Sequence, residues 1–134
     1  MKVFFDTNVL VSAFTTRGLG TDVFRLVLAE HELLTGEVNL TELRRVLRSR
    51  MRFPDSTILA LEQFLREQSI VPKPRRLLAV EIRDPDDRWV LTSAVEGGAD
   101  VLVTGDKDLL TIGRRAPLPI LDPRGFWNLL RDRT

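Results

Sequence analysis

The sequence predicts an α/β fold, a three-layer α/β/α sandwich with a mostly parallel central sheet. Short apolar runs without alternation, residues 2–5 and 101–104 above all, read as strands buried on both faces. Amphipathic helical stretches separate these runs, which is the alternation that parallel strand pairing requires. The 134 residues, 43% of them hydrophobic, suffice for one domain that buries roughly two-thirds of its unfolded surface. A single unit over 1–134 is therefore expected, with no repeat or low-complexity tract to divide it.

Each element follows from local chemistry. Residues 2–5 form the first strand, stopped by Asp6-Thr7-Asn8, residue types that end strands and start helices. Residues 9–14 supply one or two helical turns. Beyond the loop 15–20, Thr21 is placed to cap a helix that carries Phe24, Val27, Leu28 and His31 on one face. Residues 32–35 make a weak second strand. Asn39-Leu40-Thr41-Glu42 has the form of a capping box, and Leu40, Leu43, Val46 and Leu47 recur at helical spacing. Pro54-Asp55-Ser56 opens a further helix striped by Ile58, Leu61, Phe64 and Leu65, and the strand 69–71 leads into Pro72 and Pro74. Asp84-Pro85-Asp86-Asp87 starts a helix with Asp84 as its cap, proline at the first position and acids in the first turn. Gly97-Gly98 ends it. The strand 101–104 turns through 105–108 into a short helix containing Leu109, Leu110 and Ile112. A last strand at 119–121 precedes a helix over 126–130.

Bulk charge excludes little, because 20 basic and 19 acidic residues leave a net charge of +1, neither a histone-like chain nor an acidic tail. The absence of cysteine excludes disulfides, zinc fingers and thiol catalysis, and points to a reducing, cytoplasmic home. No window approaches the ~18 consecutive apolar residues of a membrane span. Asp6 interrupts the first apolar run too early for a secretory leader.

In parallel sheets ligands bind beyond the carboxyl ends of the strands, and four acids stand at such ends: Asp6, Glu42, Asp87 and Asp106. Taken singly, each suits a helix N-terminus, where a carboxylate gains roughly 0.3–1 kcal/mol. Helical phase argues for more at Glu42 and Asp87, which extend the stripes of Val46 and of Leu91 and Ala94 and so should point inward. Two carboxylates ~5 Å apart at an effective dielectric of ~20 repel by about 3 kcal/mol. Converging acids therefore require protons or a cation. Oxygen ligands without cysteine, and a single His31 on an otherwise apolar face, suit Mg²⁺ or Mn²⁺ rather than zinc.

Four separated motifs resemble those of the PIN-domain ribonucleases, and within them the toxin-like bacterial branch of VapC-like components of type II toxin-antitoxin systems. Val3-Phe4-Phe5-Asp6-Thr7-Asn8-Val9-Leu10 resembles the family's opening strand and its Asp-Thr/Ser-Asn signature. Leu40-Thr41-Glu42-Leu43 resembles the second motif. Asp84-Pro85-Asp86-Asp87, with Ala94 seven residues on, resembles the third, and residues 102–110 with Thr104-Gly105-Asp106-Lys107-Asp108 the fourth. The resemblance implies an Mg²⁺- or Mn²⁺-dependent endoribonuclease that leaves a 5′-phosphate and a 3′-hydroxyl. It makes Asp6, Glu42, Asp87 and Asp106 the metal-binding acids, Asn8 and Thr104 polar helpers, and Asp108 an additional or outer carboxylate. Asp86 is the fallback for the third ligand. It also implies a cognate antitoxin and a homodimer formed through apolar helix faces.

A carboxylate site alone would repel a phosphate backbone, so basic residues must flank it. Arg44, Arg45 and Arg48, continued by Arg50 and Arg52 with no acid among them, are the expected RNA-binding strip, and Lys73, Arg75 and Arg76 form a second cluster. Trp89 and Trp127 lie within apolar helical patterns and are expected in the core or at an interface rather than as stacking platforms.

Other acid-bearing α/β proteins fit less well. A phosphoacceptor receiver domain needs an acidic pair after the first strand and a late lysine. A dehalogenase-type phosphatase needs a second aspartate where Asn8 stands, and residues 104–107 lack the glycine spacing of a phosphate loop. The second reading is a non-catalytic PIN-like module that binds RNA or protein; the filled set of four acids weighs against it.

Overall fold

A computed structural model describes residues 1–132. Five strands, β1 (Lys2–Phe5), β2 (Glu32–Gly36), β3 (Ser69–Val71), β4 (Val101–Val103) and β5 (Ile120–Leu121), form one sheet in the order β3-β2-β1-β4-β5. All four pairings are parallel. The connecting helices are α1 (Thr7–Thr15), α2 (Leu19–Glu30), α3 (Glu37–Ser49), α4 (Asp55–Arg66), α5 (Pro85–Glu96), α6 (Lys107–Ile112) and α7 (Pro123–Asp132). The expected α/β/α sandwich is present.

The layers follow from the two-residue period of a strand. Val3 and Phe5 of β1 face a core built with Val9, Leu10, Val23, Phe24, Leu40, Leu43 and Phe126, from α1, α2, α3 and α7. Phe4 points the other way, into a second core with Val90, Leu91 and Ala94 of α5 and Leu109 and Ile112 of α6. Residues 3–5 are fully buried, which explains why β1 is apolar without alternation.

The chain leaves β1 toward β2 and β3, then returns to the opposite side for β4 and β5. The carboxyl ends of β1 and β4 thus lie side by side where the winding reverses, the crevice in which such sheets place ligands.

Three local expectations change. Helix α2 starts at Leu19, so Thr21 is not its cap; the Thr21 hydroxyl instead donates to the carbonyls of Thr16 (2.6 Å) and Ala13 (3.2 Å), tying α2 to the end of α1. Helix α3 starts at Glu37, directly off β2, which places Asn39 inside the first turn and dissolves the capping box. Phe64 remains 38% exposed, its ring tilted at 49° to Phe24 with centroids 6.4 Å apart.

Gly97 closes α5 with an ordinary helical φ of −73°, so by propensity alone alanine would be welcome there. Its missing Cβ is nevertheless required: a Cβ would lie 2.6 Å from Val71 Cγ2 and 3.0 Å from Leu34 Cδ2, and the β-branched valine cannot easily give way. Gly97→Ala is expected to destabilise the domain by about 1–3 kcal/mol in urea denaturation. Equal or greater stability would contradict this docking of α5 on β2 and β3.

Candidate metal centre

The site begins with the backbone. The Asp6 amide donates to the Val103 carbonyl across the β1–β4 pair (3.0 Å), which fixes the residue after β1 against the end of β4. The Asp6 side chain is only 4% exposed and is surrounded by donors. Its Oδ1 accepts from the Thr7 amide (2.7 Å) and from Asn39 Nδ2 (3.0 Å). Its Oδ2 accepts from the Thr104 hydroxyl (2.7 Å) and Asn8 Nδ2 (3.3 Å). Burial pushes this carboxyl above its ordinary value, the Asp106 charge adds to the rise, and the hydrogen bonds oppose it.

Asn8 and Thr104 brace the two strand ends together. Asn8 Oδ1 accepts from the Gly105 amide (2.8 Å), and Thr104 Oγ1 accepts from the Asp106 amide (3.0 Å) while it donates to Asp6. Asp106 then caps α6, its Oδ1 accepting from the amides of Asp108 (2.8 Å) and Leu109 (3.4 Å).

Asp87 comes from the other layer. Asp84 caps α5 by accepting from the Asp86 amide (3.0 Å), with Pro85 in the first turn, and this start directs Asp87 inward while Asp86 remains exposed. Asp87 is 6% exposed and its Oδ2 has no hydrogen-bond partner. Burial first, then the charges of Asp106, Asp84 and Asp6, push its carboxyl up to about 8. Asp87, Asp106 and Asp108 each present an oxygen, all within 4.8 Å of one another.

Glu42 corrects the expectation of two inward carboxylates. Asn39, Leu40 and Leu43 occupy the buried side of α3, so Glu42 lies exposed beside them. Its carboxyl still borders the site: crowding and the Asp6 charge raise it, and Arg45 pulls it back. A pocket of about 130 Å³ is lined by Asp6, Asn8, Glu42, Arg45, Asp86, Asp87 and Asp106, among others, so the four acids proposed from sequence share one concavity.

A PIN domain family model matches residues 2–108, a span that runs from β1 to Asp108 and includes every acid above. The chain belongs to the PIN domain family. No protein of curated function matches it in sequence. Among solved structures, this PIN domain is similar to VapBC2 from Rickettsia felis, bound to a DNA fragment from their promoter, at 19% identity over 91% of this chain and 98% of that one, with a TM-score of 0.64. It is also similar to VapBC-1 from nontypeable Haemophilus influenzae at 15% identity, over 92% and 99% of the two chains, with a TM-score of 0.66. At such identities the likeness concerns the fold.

The donor set of this PIN domain fits a hard divalent cation. It is all oxygen, and the buried Asp87 Oδ2 lacks any partner. Carboxylates this close, with no basic group paired to them among the described residues, match carbonyl- and carboxylate-preferring metals such as Mg²⁺ and Mn²⁺. His31 lies at the amino-terminal end of the sheet beside Lys2, Glu32 and Asp100, remote from these acids.

Two features escaped the sequence. Asn39 resembles a helix cap in one dimension; its role as a fully buried donor to Asp6 and to Thr7 Oγ1 (3.1 Å) depends on where α3 starts, and Gly36 leaves it room, since a Cβ there would lie 3.0 Å from Asn39 Oδ1. The expected arginine strip also divides. Arg44 is paired with Glu62 (2.8 Å) and Arg48 with Asp55 (3.1 Å), both toward α4, whereas Arg45 lines the acid pocket. Of the tryptophans, Trp127 packs against the larger core as expected, but Trp89 is only partly buried and lines a groove. It sits beside the stripe of Asp87, Val90, Leu91 and Ala94 rather than on it.

The raised Asp87 carboxyl makes stability depend on pH with a definite sign. Below its ordinary value of 3.8 both folded and unfolded chains hold the proton, and the fold keeps the full contribution. Between there and about 8 the unfolded chain has lost the proton, so stability falls as pH rises through this window. The melting temperature of chelated protein should therefore drop from about pH 5 to about pH 8, and millimolar Mg²⁺ should recover it by replacing the proton. Asp87→Asn should flatten the profile. A flat profile in the parent, or no recovery with Mg²⁺, would contradict the coupling.

Proposed function

We propose that this PIN domain is a divalent-metal-dependent endoribonuclease, the toxin of a toxin-antitoxin pair. The observation that carries the reading is the convergence of Asp87, Asp106 and Asp108 beside the buried Asp6, at the reversal point of the sheet. Asp6, Glu42, Asp87 and Asp106 would hold Mg²⁺ or Mn²⁺, with Asp108 completing the oxygen set. When bound, such an ion lowers the pKa of water and neutralises charge on the scissile phosphate.

The chain's own residues do the remaining work. Asn8, Thr104 and Asn39 fix the orientation of the Asp6 carboxylate through hydrogen bonds to both of its oxygens, as supporting partners of metal ligands do. Arg45, at the pocket wall, offers a cation to the phosphate backbone; Arg44 and Arg48 are engaged by α4 and serve substrate less directly. RNA cleavage leaving a 5′-phosphate and a 3′-hydroxyl follows from the family resemblance. The VapBC names of both structural neighbours support an antitoxin partner. A homodimer and a cytoplasmic site of action belong to the same reading, and no helix among the described residues is long and apolar enough to cross a membrane.

Purified protein should cleave single-stranded RNA with Mg²⁺ or Mn²⁺ and lose this activity in EDTA. Asp6→Asn and Asp106→Asn should each lower the rate by at least about 100-fold, and Asn39→Ala by about 10- to 100-fold, with unchanged circular dichroism. Full activity in either aspartate variant, or cleavage that persists in chelator, would reject the site. RNA binding without any cleavage would favour the non-catalytic module.

A further inference from the structure

A groove of about 420 Å³ opens beside the acid pocket, a size suited to a nucleotide-scale ligand. Glu42, Arg45, Asp86 and Val90 line both concavities, so the two are continuous. The groove is thus a concavity next to the acids with room for the nucleotide that neighbours a phosphate held there.

The groove wall carries the partly buried Trp89 and the apolar Val38, with Lys73 Nζ 4.8 Å from the Trp89 ring centroid. Arg45 and Lys73 make no salt bridge among the described residues, whereas Arg44, Arg48 and Arg66 are all paired with acids. The groove therefore combines an aromatic ring with two cations that make no salt bridge among the described residues, beside the carboxylates of Glu42 and Asp86. Glu37, on the same wall, is held by Arg66 (2.6 Å).

We propose that this groove is a nucleotide subsite, in which a base of single-stranded RNA stacks on Trp89 while its flanking phosphate lies between Arg45 and Lys73. The assignment rests on the ribonuclease reading and adds where the substrate lies. Lys73 covers the ring in the free protein, but an exposed cation–π contact is worth only about 2- to 5-fold in an equilibrium. Stacking of a base on an aromatic side chain is worth about 5- to 150-fold. The base therefore displaces the ammonium, which is then available to phosphate. Because every base offers a π-face, the subsite selects unpaired nucleotides rather than one base.

The test uses a labelled single-stranded RNA dodecamer of random sequence, with Mg²⁺, in an Asp106→Asn background so that RNA is not consumed. Fluorescence anisotropy should show Trp89→Leu binding at least about 5-fold more weakly and Trp89→Phe within about 2-fold of the parent. Arg45→Gln and Lys73→Gln should each reduce the salt slope by about 0.7. A folded Trp89→Leu that binds RNA as tightly as its parent overturns the subsite, and if that variant instead loses a polypeptide partner, the groove belongs to protein. Should Trp89→Leu fail to fold, the exposed Lys73→Gln decides, and an unchanged slope overturns the proposal. These outcomes leave the ribonuclease reading standing. A parent that binds no RNA, with wild-type protein that cleaves none, removes both.

Discussion

Mutual repulsion among carboxylates is the constraint around which this domain is arranged. A parallel sheet that reverses its winding between β1 and β4 brings Asp6 and Asp106 to adjacent strand ends, and α5 delivers Asp87 from the opposite layer. Carboxylates that close repel by a few kcal/mol each at moderate dielectric, comparable to a sizeable fraction of a domain's net stability. The surrounding chemistry answers that repulsion. Asp6 receives hydrogen bonds on both oxygens from Thr7, Asn8, Asn39 and Thr104, and Asp106 is satisfied by the amides that start α6. Asp87 keeps a buried carboxylate oxygen with no hydrogen-bond partner, and burial, with the charges of Asp106, Asp84 and Asp6, pushes its carboxyl well above the ordinary range.

The near-zero net charge of the chain conceals how its charges are placed. Glu37, Glu62 and Asp55 bind Arg66, Arg44 and Arg48 in exposed or half-exposed pairs between α3 and α4, contacts worth little individually but sufficient to turn those arginines from the site. The clustered acids Asp6, Asp87, Asp106 and Asp108 make no salt bridge among the described residues. Arg45 lines the acid pocket and, with Lys73, the groove beside it, where they would meet a polyanion in the proposed function.

Much of the fold was legible because its strands are too short and too apolar to be anything but the interior of a covered parallel sheet. Asp84-Pro85 announced α5 correctly, since cap and first-turn chemistry are local. The sequence misled where a side chain's partner lies elsewhere in the chain. Asn39 and Thr21 have the chemistry of caps, yet Asn39 donates to Asp6 because α3 already starts at Glu37, and Thr21 donates to the Ala13 and Thr16 carbonyls because α2 already starts at Leu19. Helical phase pointed both Asp87 and Glu42 inward; Asp87 is buried, but Glu42 lies exposed because Asn39, Leu40 and Leu43 occupy the buried side of α3. Asp108 could be read only as an auxiliary acid, since its approach to Asp87 depends on how α6 packs against α5. The solved VapBC structures share this fold at 15–19% identity, as expected where an architecture tolerates wide substitution.

In the proposed function the acid cluster exchanges a proton for a divalent cation. Calorimetric titration of the chelator-treated protein with Mn²⁺ near neutral pH, repeated in two buffers of different ionisation enthalpy, measures binding and proton release together. Saturable binding accompanied by proton release is expected, with loss of that release in Asp87→Asn. Binding whose heat is the same in both buffers, or no binding at millimolar Mn²⁺, would contradict it.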